Sequence, residues 1–176
     1  MRHEAYSQAR RGLYIGGEQY FAQLDAALSG EAAQPVLISG EAGLGKSALI
    51  ARWLQGWRAK HPKTPVILHH LNATAEADDP MHLVRRLGEE AALITGRPFE
   101  AAKGKDEILD QLPSILADLS GHAEREGLSV LIVLDGLERC GAAFEDLRWF
   151  PKYLPPHIQL VASCSEGPAQ AHLQNF

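Results

Sequence analysis

The sequence predicts an α/β fold of three layers, in which a mostly parallel sheet lies between two layers of helices. Short apolar runs alternate with segments of helical periodicity along the 176 residues. The apolar runs are continuous, which is typical of strands that are buried on both faces. A helix between two successive strands is the usual crossover connection of a parallel sheet.

The boundaries of these elements follow from residues that start and stop helices. The predicted helices cover 18–29, 48–60, 80–95 and 105–126, and the predicted strands cover 35–38, 65–71, 128–134 and 158–163. Asp79-Pro80 is a favoured helix start, and Gly96 is placed to end the same helix. Pro113 lies inside the last helical segment and should kink it or split it in two.

Composition and charge exclude several classes of protein. Hydrophobic residues make up 45% and charged residues 22%, as in an ordinary globular domain. The net charge of −5 and the lack of a basic run argue against nucleic-acid binding. No apolar run reaches the roughly 20 residues that span a bilayer, and the N-terminus lacks a signal-peptide core. With only Cys140 and Cys164, read as reduced and mostly inert thiols, we expect a cytoplasmic protein.

A glycine-rich stretch separates the first predicted strand from the helix that follows it. Gly40, Gly43 and Gly45 precede Lys46-Ser47 in the pattern Gly-x-x-x-x-Gly-Lys-Ser. Glycines let the backbone form a concavity lined by N–H groups, and the following helix directs its N-terminal amides at the same anion. A strand before the pattern and a helix after it are the setting that this chemistry requires. The stretch is therefore predicted to be a phosphate-binding loop.

The loop assigns a role to each of its polar groups. Lys46 can reach the β- and γ-phosphates, and the Ser47 hydroxyl can ligate Mg²⁺. The predicted nucleotide-binding residues are Gly40, Glu41, Ala42, Gly43, Leu44, Gly45, Lys46, Ser47 and Ala48. The predicted ligand is thus a nucleoside triphosphate with Mg²⁺.

A second candidate region lies at the end of the most apolar strand. Leu131-Ile132-Val133-Leu134 delivers Asp135 to the carboxyl end of the sheet, where ligands bind in open parallel sheets. A carboxylate there can serve the same Mg²⁺ as Ser47. Glu138 follows three residues later and has two open interpretations. It is either a general base that polarises the attacking water or a solvated carboxylate at the start of a helix.

Two pairs of side chains on other elements have structural interpretations. His69 and His70 are adjacent on the second strand, so they point to opposite faces and are expected to be buried and hydrogen-bonded. Trp53 and Trp57 lie four residues apart on the helix after the loop and are expected to pack in the core. Ser163, Cys164 and Ser165 end the last strand and could place a hydroxyl near the γ-phosphate.

Four stretches together resemble the signal-transduction ATPases with numerous domains (STAND), and within them the NACHT-type and nephrocystin-like members of the wider AAA+ group. These stretches are Tyr14-Ile15-Gly16-Gly17-Glu18, the phosphate loop as Walker A, Leu131 to Glu138 as Walker B, and Ser163-Cys164-Ser165. The likeness spans about residues 3–168. It implies a switch that holds ADP when off and ATP when on, with residues 15–18 near the adenine.

The chain departs from that family in three ways. Gly17 stands where members typically have Arg, and Ser165 stands near a second position that is often Arg. The third departure is that Phe176 comes before the fifth strand and the lid of the family. We expect residues 1–14 to be an N-terminal segment and residues 15–176 a core domain that is incomplete at its C-terminus. A fifth strand would flank the first, so the first strand is expected to be an edge and the chain to need a protein partner or a second copy.

Three functions are compatible with these residues. The first is an ATP-binding switch with weak Mg²⁺-dependent hydrolysis, in which Lys46 and Glu138 are the catalytic residues and Ser47 and Asp135 the metal ligands. The second is an oligomerisation or interaction module that has a vestigial or locked nucleotide site. A small-molecule kinase is the third, although no Arg-rich lid segment follows the loop.

Overall fold

The computed structural model describes residues 2–11, 17–29, 34–71, 73, 78–140 and 153–165. The helices are α1 (Arg2–Arg11), α2 (Glu18–Leu28), α3 (Lys46–Lys60), α4 (Pro80–Thr95), α5 (Lys105–Leu109) and α6 (Leu112–Glu126). The strands are β1 (Val36–Ser39), β2 (Val66–His70), β3 (Val130–Asp135) and β4 (Ile158–Cys164), with a short 3-10 turn over Leu137–Cys140. No helix in these ranges has the length and apolar character needed to cross a membrane.

The four strands form one sheet in the order β1-β4-β3-β2, and every described pair is parallel. This confirms the predicted parallel α/β fold. β1 lies at one edge of the described sheet and β2 at the other. In the register of the sheet, His70 pairs with Asp135, Asp135 with Ser163, and Ser163 with Ile38. One row of residues therefore crosses all four strands at their carboxyl ends.

Two apolar clusters cover the two faces of the sheet. One contains Leu24, Ile50, Trp53, Leu54 and Trp57 from α2 and α3, packed on alternate residues of the strands such as Leu131 and Val133. The other joins α4, α5 and α6 to the intervening strand residues, among them Ile132 and Leu134. The alternation places Asp135 on the α3 face, as the period of two in a strand requires. Trp53 and Trp57 are core residues, as expected.

The helix boundaries are the ones that the caps predict. The side chain of Asp79 accepts a hydrogen bond from the Met81 N–H at 3.0 Å, and Gly96 ends α4 in a left-handed conformation. Pro113 lies in the first turn of α6, where its missing N–H is tolerated, so the predicted split between α5 and α6 is confirmed.

Helix α1 was not foreseen from its sequence pattern. It packs against α3 and β2 and buries His3 and Ser7. Because both buried residues are polar, the segment lacks the apolar periodicity that marks an amphipathic helix. Two ion pairs tie the neighbouring helices to α3: Glu4 of α1 contacts Arg58 at 2.7 Å, and Asp25 of α2 contacts Lys60 at 2.6 Å.

Candidate functional site

The glycine-rich loop connects the end of β1 to the start of α3. Gly43 and Gly45 have φ angles of +89° and +84°, a left-handed conformation that residues with a Cβ rarely adopt. Gly45 is the N-cap residue of α3, and no side chain caps the helix there. The first backbone amides of α3 therefore keep the unpaired N–H groups and the positive dipole end that attract an anion.

Lys46 is held against the loop itself. Its Nζ donates hydrogen bonds to the backbone carbonyl oxygens of Gly40 at 2.7 Å and Glu41 at 2.9 Å. The side chains of Glu41, Ala42 and Leu44 are exposed around it. The ammonium group and the helix amides are thus gathered at one accessible point of the surface.

Asp135 is the centre of a buried hydrogen-bond network beside the loop. Its Oδ2 lies 2.7 Å from Nδ1 of His70, and its Oδ1 accepts a hydrogen bond from the Ser163 hydroxyl at 2.6 Å. The same hydroxyl accepts the N–H of Gly136 at 2.9 Å. Asp135, His70 and Ser163 are each at most 1% exposed. An acidic group at this depth is stable only because polar neighbours surround it.

The pKa of Asp135 reflects this balance. Burial alone would raise the pKa, but the hydrogen bond and charge of His70, with hydrogen bonds from Ser163 and Ser47, hold it below its ordinary value. The carboxyl group is therefore ionised at neutral pH. The contribution of Ser47 to this pKa places the start of α3 beside the end of β3, so the two predicted metal ligands are neighbours.

The donor set fits Mg²⁺. The Ser47 hydroxyl and the Asp135 carboxylate are hard oxygen ligands, and each carboxylate oxygen has a lone pair beyond the one used by His70 or Ser163. Within the described ranges no group of three or more His, Cys, Asp or Glu residues could hold a metal. A magnesium ion here would complete its shell with phosphate oxygens and water, as Mg²⁺ usually does.

Glu138 lies in the 3-10 turn that follows β3. Its Oε2 accepts the backbone N–H of Ser165 at 3.1 Å, and the residue is partly buried. This hydrogen bond fixes the carboxylate across the end of β4. This contact is compatible with both interpretations of Glu138, because it engages one of the two carboxylate oxygens.

The other residues considered at this end of the sheet are Ser163 and the two cysteines. The Ser163 hydroxyl contacts Asp135 and Gly136 rather than standing free for a phosphate. Cys140 and Cys164 are free and buried. Burial, with the nearby carboxylates Asp78, Asp79 and Glu138, raises the pKa of Cys140 to about 12. Burial and Glu138 raise the pKa of Cys164 to about 11, so both thiols stay protonated and unreactive.

A groove of about 590 Å³ opens next to the loop, between α2 and β1. Its walls are made by Tyr20, Leu24, Leu37, Leu44 and Lys46, among others. This volume lies within the range of small-molecule sites, roughly 300–1,000 Å³. Of the residues expected near an adenine, Gly17 is the N-cap of α2 and Glu18 its first residue, shortly before Tyr20 in the groove wall. Ile15 and Gly16 lie outside the described residues.

Sequence reasoning missed the contact of His70 with Asp135, and it gave Ser163 a different role, near the γ-phosphate. Both were noted as strand residues, but their contact with Asp135 depends on the register of three strands. The signal was present in the polar residues that end β2, β3 and β4. Only the alignment of these strands in one row shows that the polar ends meet.

Comparison with known proteins agrees with this geometry. A family model described as the AAA ATPase domain matches residues 15–152. The chain is 25% identical to human nephrocystin-3 over 91% of its own length and 12% of the relative's. It is 29% identical to mouse tetratricopeptide repeat protein 41 over 73% of its length and 10% of the relative's. It is 22% identical to a TPR repeat-containing protein of Dictyostelium discoideum over 97% of its length and 14% of the relative's.

Among solved structures, the chain resembles Cdc6p from Pyrobaculum aerophilum, with a TM-score of 0.51 and 18% identity. The likeness covers 90% of this chain and 40% of the other, and at this identity it concerns the fold. The chain spans between 10% and 14% of the length of the three relatives described above. Since the family match covers more than half of the chain and includes the phosphate loop, β3 and Asp135, the chain belongs to the AAA ATPase domain family.

Proposed function

We propose that the chain is a nucleotide-switch domain that binds ATP and ADP and hydrolyses ATP slowly with Mg²⁺. The observation that carries the proposal is the meeting of Ser47, next to the loop lysine, with the ionised Asp135. A phosphate site and an acidic metal ligand are the two parts that phosphoryl transfer requires. The STAND, NACHT and nephrocystin-like kinship remains part of the proposal, supported by the nephrocystin-3 relatives.

In this proposal the residues divide the work of binding. Residues 40–48 would contact the phosphates through backbone N–H groups, and Lys46 would exchange its two carbonyl contacts for the β- and γ-phosphate oxygens. Ser47 and Asp135 would hold Mg²⁺, which when bound neutralises charge on the β- and γ-phosphates. The groove between α2 and β1 offers space for the base and ribose.

Glu138 is proposed as the residue that prepares the attacking water. One oxygen of the Glu138 carboxylate would accept a proton from the water molecule while the water oxygen forms a bond to the γ-phosphorus. The bond from that phosphorus to the bridging oxygen breaks, and ADP and inorganic phosphate leave. Gly17 and Ser165, which replace arginines typical of the resembling family, supply no positive charge for this step. We therefore expect slow turnover, since an arginine near the γ-phosphate can contribute 10³–10⁵ in rate.

The test of binding is calorimetry with ATP and ADP in the presence of Mg²⁺. Lys46→Ala removes charge-assisted hydrogen bonds to the phosphates. Loss of one such bond, at about 1.5–3 kcal/mol, lowers affinity by roughly 10- to 150-fold, so we expect a decrease of at least this size. Lys60→Ala is the matched control, because Lys60 ends the same helix and contacts only Asp25 among the described partners. Equal affinity in the Lys46→Ala protein would reject the phosphate-loop assignment.

The test of hydrolysis is phosphate release by Glu138→Gln. A general base typically contributes about 10²–10⁴ in rate, so turnover should fall by at least 100-fold while ADP affinity is kept. Unchanged turnover would assign Glu138 to its other interpretation, a solvated carboxylate at the start of a helix. Absence of turnover in the wild type, with binding intact, would favour the second candidate, an interaction module without turnover.

A protein partner or a second copy is also proposed. The relatives include proteins named for tetratricopeptide repeats, and β1 pairs with a described strand on one side only. An uncovered strand edge offers unpaired N–H and C=O groups to another chain. Light scattering with ADP and with ATP tests this: a single monomeric species at high concentration in both would contradict it.

A further inference from the structure

Helix α1 lies outside the residues that the family model matches, yet it reaches the candidate site. The match begins at residue 15, and α1 covers Arg2–Arg11. α1 packs on both β2 and α3. β2 carries His70, a hydrogen-bond partner of Asp135, and α3 carries Ser47, the other predicted metal ligand. Whatever α1 contributes to the site therefore lies outside the part of the chain that the family model matches.

α1 contacts both histidines of β2: the ring of His3 lies 4.5 Å from the ring of His69, and further contacts reach His70. Nδ1 of His3 accepts the backbone N–H of His70 at 2.9 Å in a fully buried position. The ring of Tyr6 lies 4.7 Å from the His70 ring, and the ring of His3 is stacked parallel to it at 6.3 Å. His70 is thus held at its backbone and on its ring by one helix.

A bidentate ion pair fixes α1 in this position. The two carboxylate oxygens of Glu4 contact the two guanidinium nitrogens of Arg58 at 2.7 and 3.1 Å. Arg58 lies near the end of α3, the helix that begins at Lys46 and Ser47. Bidentate pairs of this kind specify orientation as well as attraction. α1 is consequently tied to α3 and to β2 at once.

His70 directs its hydrogen bond only to Asp135. Because the ionised carboxylate can only accept, Nδ1 carries the hydrogen and donates it to Oδ2 at 2.7 Å. Nε2 of the same ring is buried without a hydrogen-bond partner among the described residues. A ring nitrogen left unpaired in the interior is unfavourable, so an apolar ring in this space would destabilise the protein less. What an apolar ring could not supply is the contact with Asp135.

We propose that α1 is a brace for the magnesium-binding acid, and that His70 is the positioning residue through which it acts. By holding His70 against Oδ2, α1 fixes the direction in which Asp135 presents its remaining lone pairs to Mg²⁺. The inference rests on the proposed nucleotide and Mg²⁺ site. It assigns to α1 a role in the metal-dependent part of nucleotide binding and none in the phosphate contacts of the loop.

The experiment compares ADP affinity with Mg²⁺ and with EDTA, by calorimetry on the full chain. The ratio of the two affinities is here called the magnesium gain. Removal of a hydrogen-bond partner of a metal ligand typically lowers metal affinity by about 10- to 100-fold. For His70→Phe we expect the magnesium gain to fall by about tenfold or to disappear, while affinity in EDTA stays within about twofold. An unchanged magnesium gain would overturn the proposal.

Two conservative variants separate positioning from general packing. The amide nitrogen of Asn can stand where Nδ1 lies, and that of Gln where Nε2 lies. His70→Asn should therefore keep most of the magnesium gain and His70→Gln should lose it. This pair carries the test if His70→Phe does not fold. Equal gains in both variants would overturn the proposal.

The helix itself is tested at its ion pair. Glu4→Arg should lower the magnesium gain, and adding Arg58→Glu should restore it by re-forming the pair with reversed charges. Ala5→Arg is the matched control, because it places the same charge on an exposed position of α1. If Glu4→Arg keeps the gain of the Ala5→Arg protein, α1 has no such role.

These results distinguish the brace from the site on which it rests. If the wild type binds no nucleotide with Mg²⁺, the proposed function fails and the brace fails with it. If the wild type binds with a magnesium gain that every variant shares, the proposed function stands and the brace alone is rejected.

Discussion

The phosphate loop and the network around Asp135 lie at the same end of the sheet but are built differently. The loop occupies consecutive residues, its chemistry comes from backbone amides and one lysine, and Leu44 at its tip is 66% exposed. The Asp135 network takes His70 from β2, Asp135 from β3 and Ser163 from β4, all with at most 1% exposure. One region is local in sequence and open, whereas the other is dispersed and closed.

Because of this difference, substitutions in the two regions should have different consequences for binding and for folding. A change in the loop removes groups that face solvent or ligand, so it should alter binding more than folding. A change in the network leaves buried donors without acceptors, so it should alter folding as well. The first prediction below compares the two regions directly, and the other two examine one region at a time.

The largest effect is expected for Asp135→Ala. The substitution leaves the Nδ1–H of His70 and the hydroxyl of Ser163 without their acceptor, and breaking a buried pair in this way costs about 3–5 kcal/mol. Urea denaturation should report this loss in the free energy of unfolding.

Lys46→Ala is the counterpart from the loop. It removes two hydrogen bonds to loop carbonyl oxygens, one of them exposed, but also removes a cation from the positive end of α3, where a cation is unfavourable. The free energy of unfolding should therefore change by only about 0.5 kcal/mol.

Equal losses of stability in these two variants would break the contrast. In particular, a loss below about 1 kcal/mol for Asp135→Ala would mean that the network is not a stabilising centre.

A smaller effect is expected for Gly43→Ala. A Cβ at Gly43 would meet no atom within 4 Å, so the expected penalty comes only from its φ of +89° and amounts to about 1–2 kcal/mol. Gly56→Ala is the matched control, because Gly56 lies inside α3 with equally open space. There the substitution should stabilise the protein by about 0.5–1 kcal/mol. Thermal unfolding of the two variants gives the sign of each change.

If Gly43→Ala and Gly56→Ala shift the melting temperature in the same direction, the left-handed backbone at Gly43 does not disfavour a residue with a Cβ.

The smallest effect concerns the pH dependence of stability and comes from His3, at the edge of the buried network. Burial, with Arg86, His69 and His70 nearby, lowers the pKa of His3 to about 3 from 6.5. The unfolded chain then takes up a proton below pH 6.5, whereas the folded chain does so only near pH 3. Stability therefore falls as the pH drops from 6.5 towards 3. Between pH 7 and pH 5.5 the loss should be about 1 kcal/mol, at 1.36 kcal/mol for each unit of pKa shift.

His3→Asn removes this titration and keeps an oxygen that can accept the His70 N–H. The stability of the variant should fall less between pH 7 and pH 5.5 than that of the wild type. Parallel stability curves for the two proteins would show that His3 is not the residue responsible.

Much of the fold and half of the site were predictable from local patterns. The caps at Asp79 and Gly96, the split at Pro113 and the four strands all depend on neighbouring residues, and the structure confirms them. The geometry of the loop was predictable for the same reason. His69 and His70 were expected to be buried on opposite faces, and they contact Arg86 and Asp135 respectively.

The other half depends on contacts between distant residues. His70 and Ser163 meet Asp135 only because three parallel strands end in one row, and a sequence pattern does not give strand order or register. α1 was missed because it buries a histidine and a serine rather than an apolar stripe. The role of Glu138 remains a prediction, since its contact with Ser165 is compatible with either interpretation.

The order of the strands has a consequence for the way the chain folds. β1, which leads into the phosphate loop, pairs with β4, so that Val36 lies opposite Val161. A nascent chain would therefore complete α3, β2, α4, α5, α6 and β3 before β1 could acquire its described strand partner. Such long-range pairing is slow, because a large loop must close before the contact forms. During synthesis β1 would be paired only when β4 joins the sheet. A pause or mutation that delays β4 would leave β1 open to misassembly.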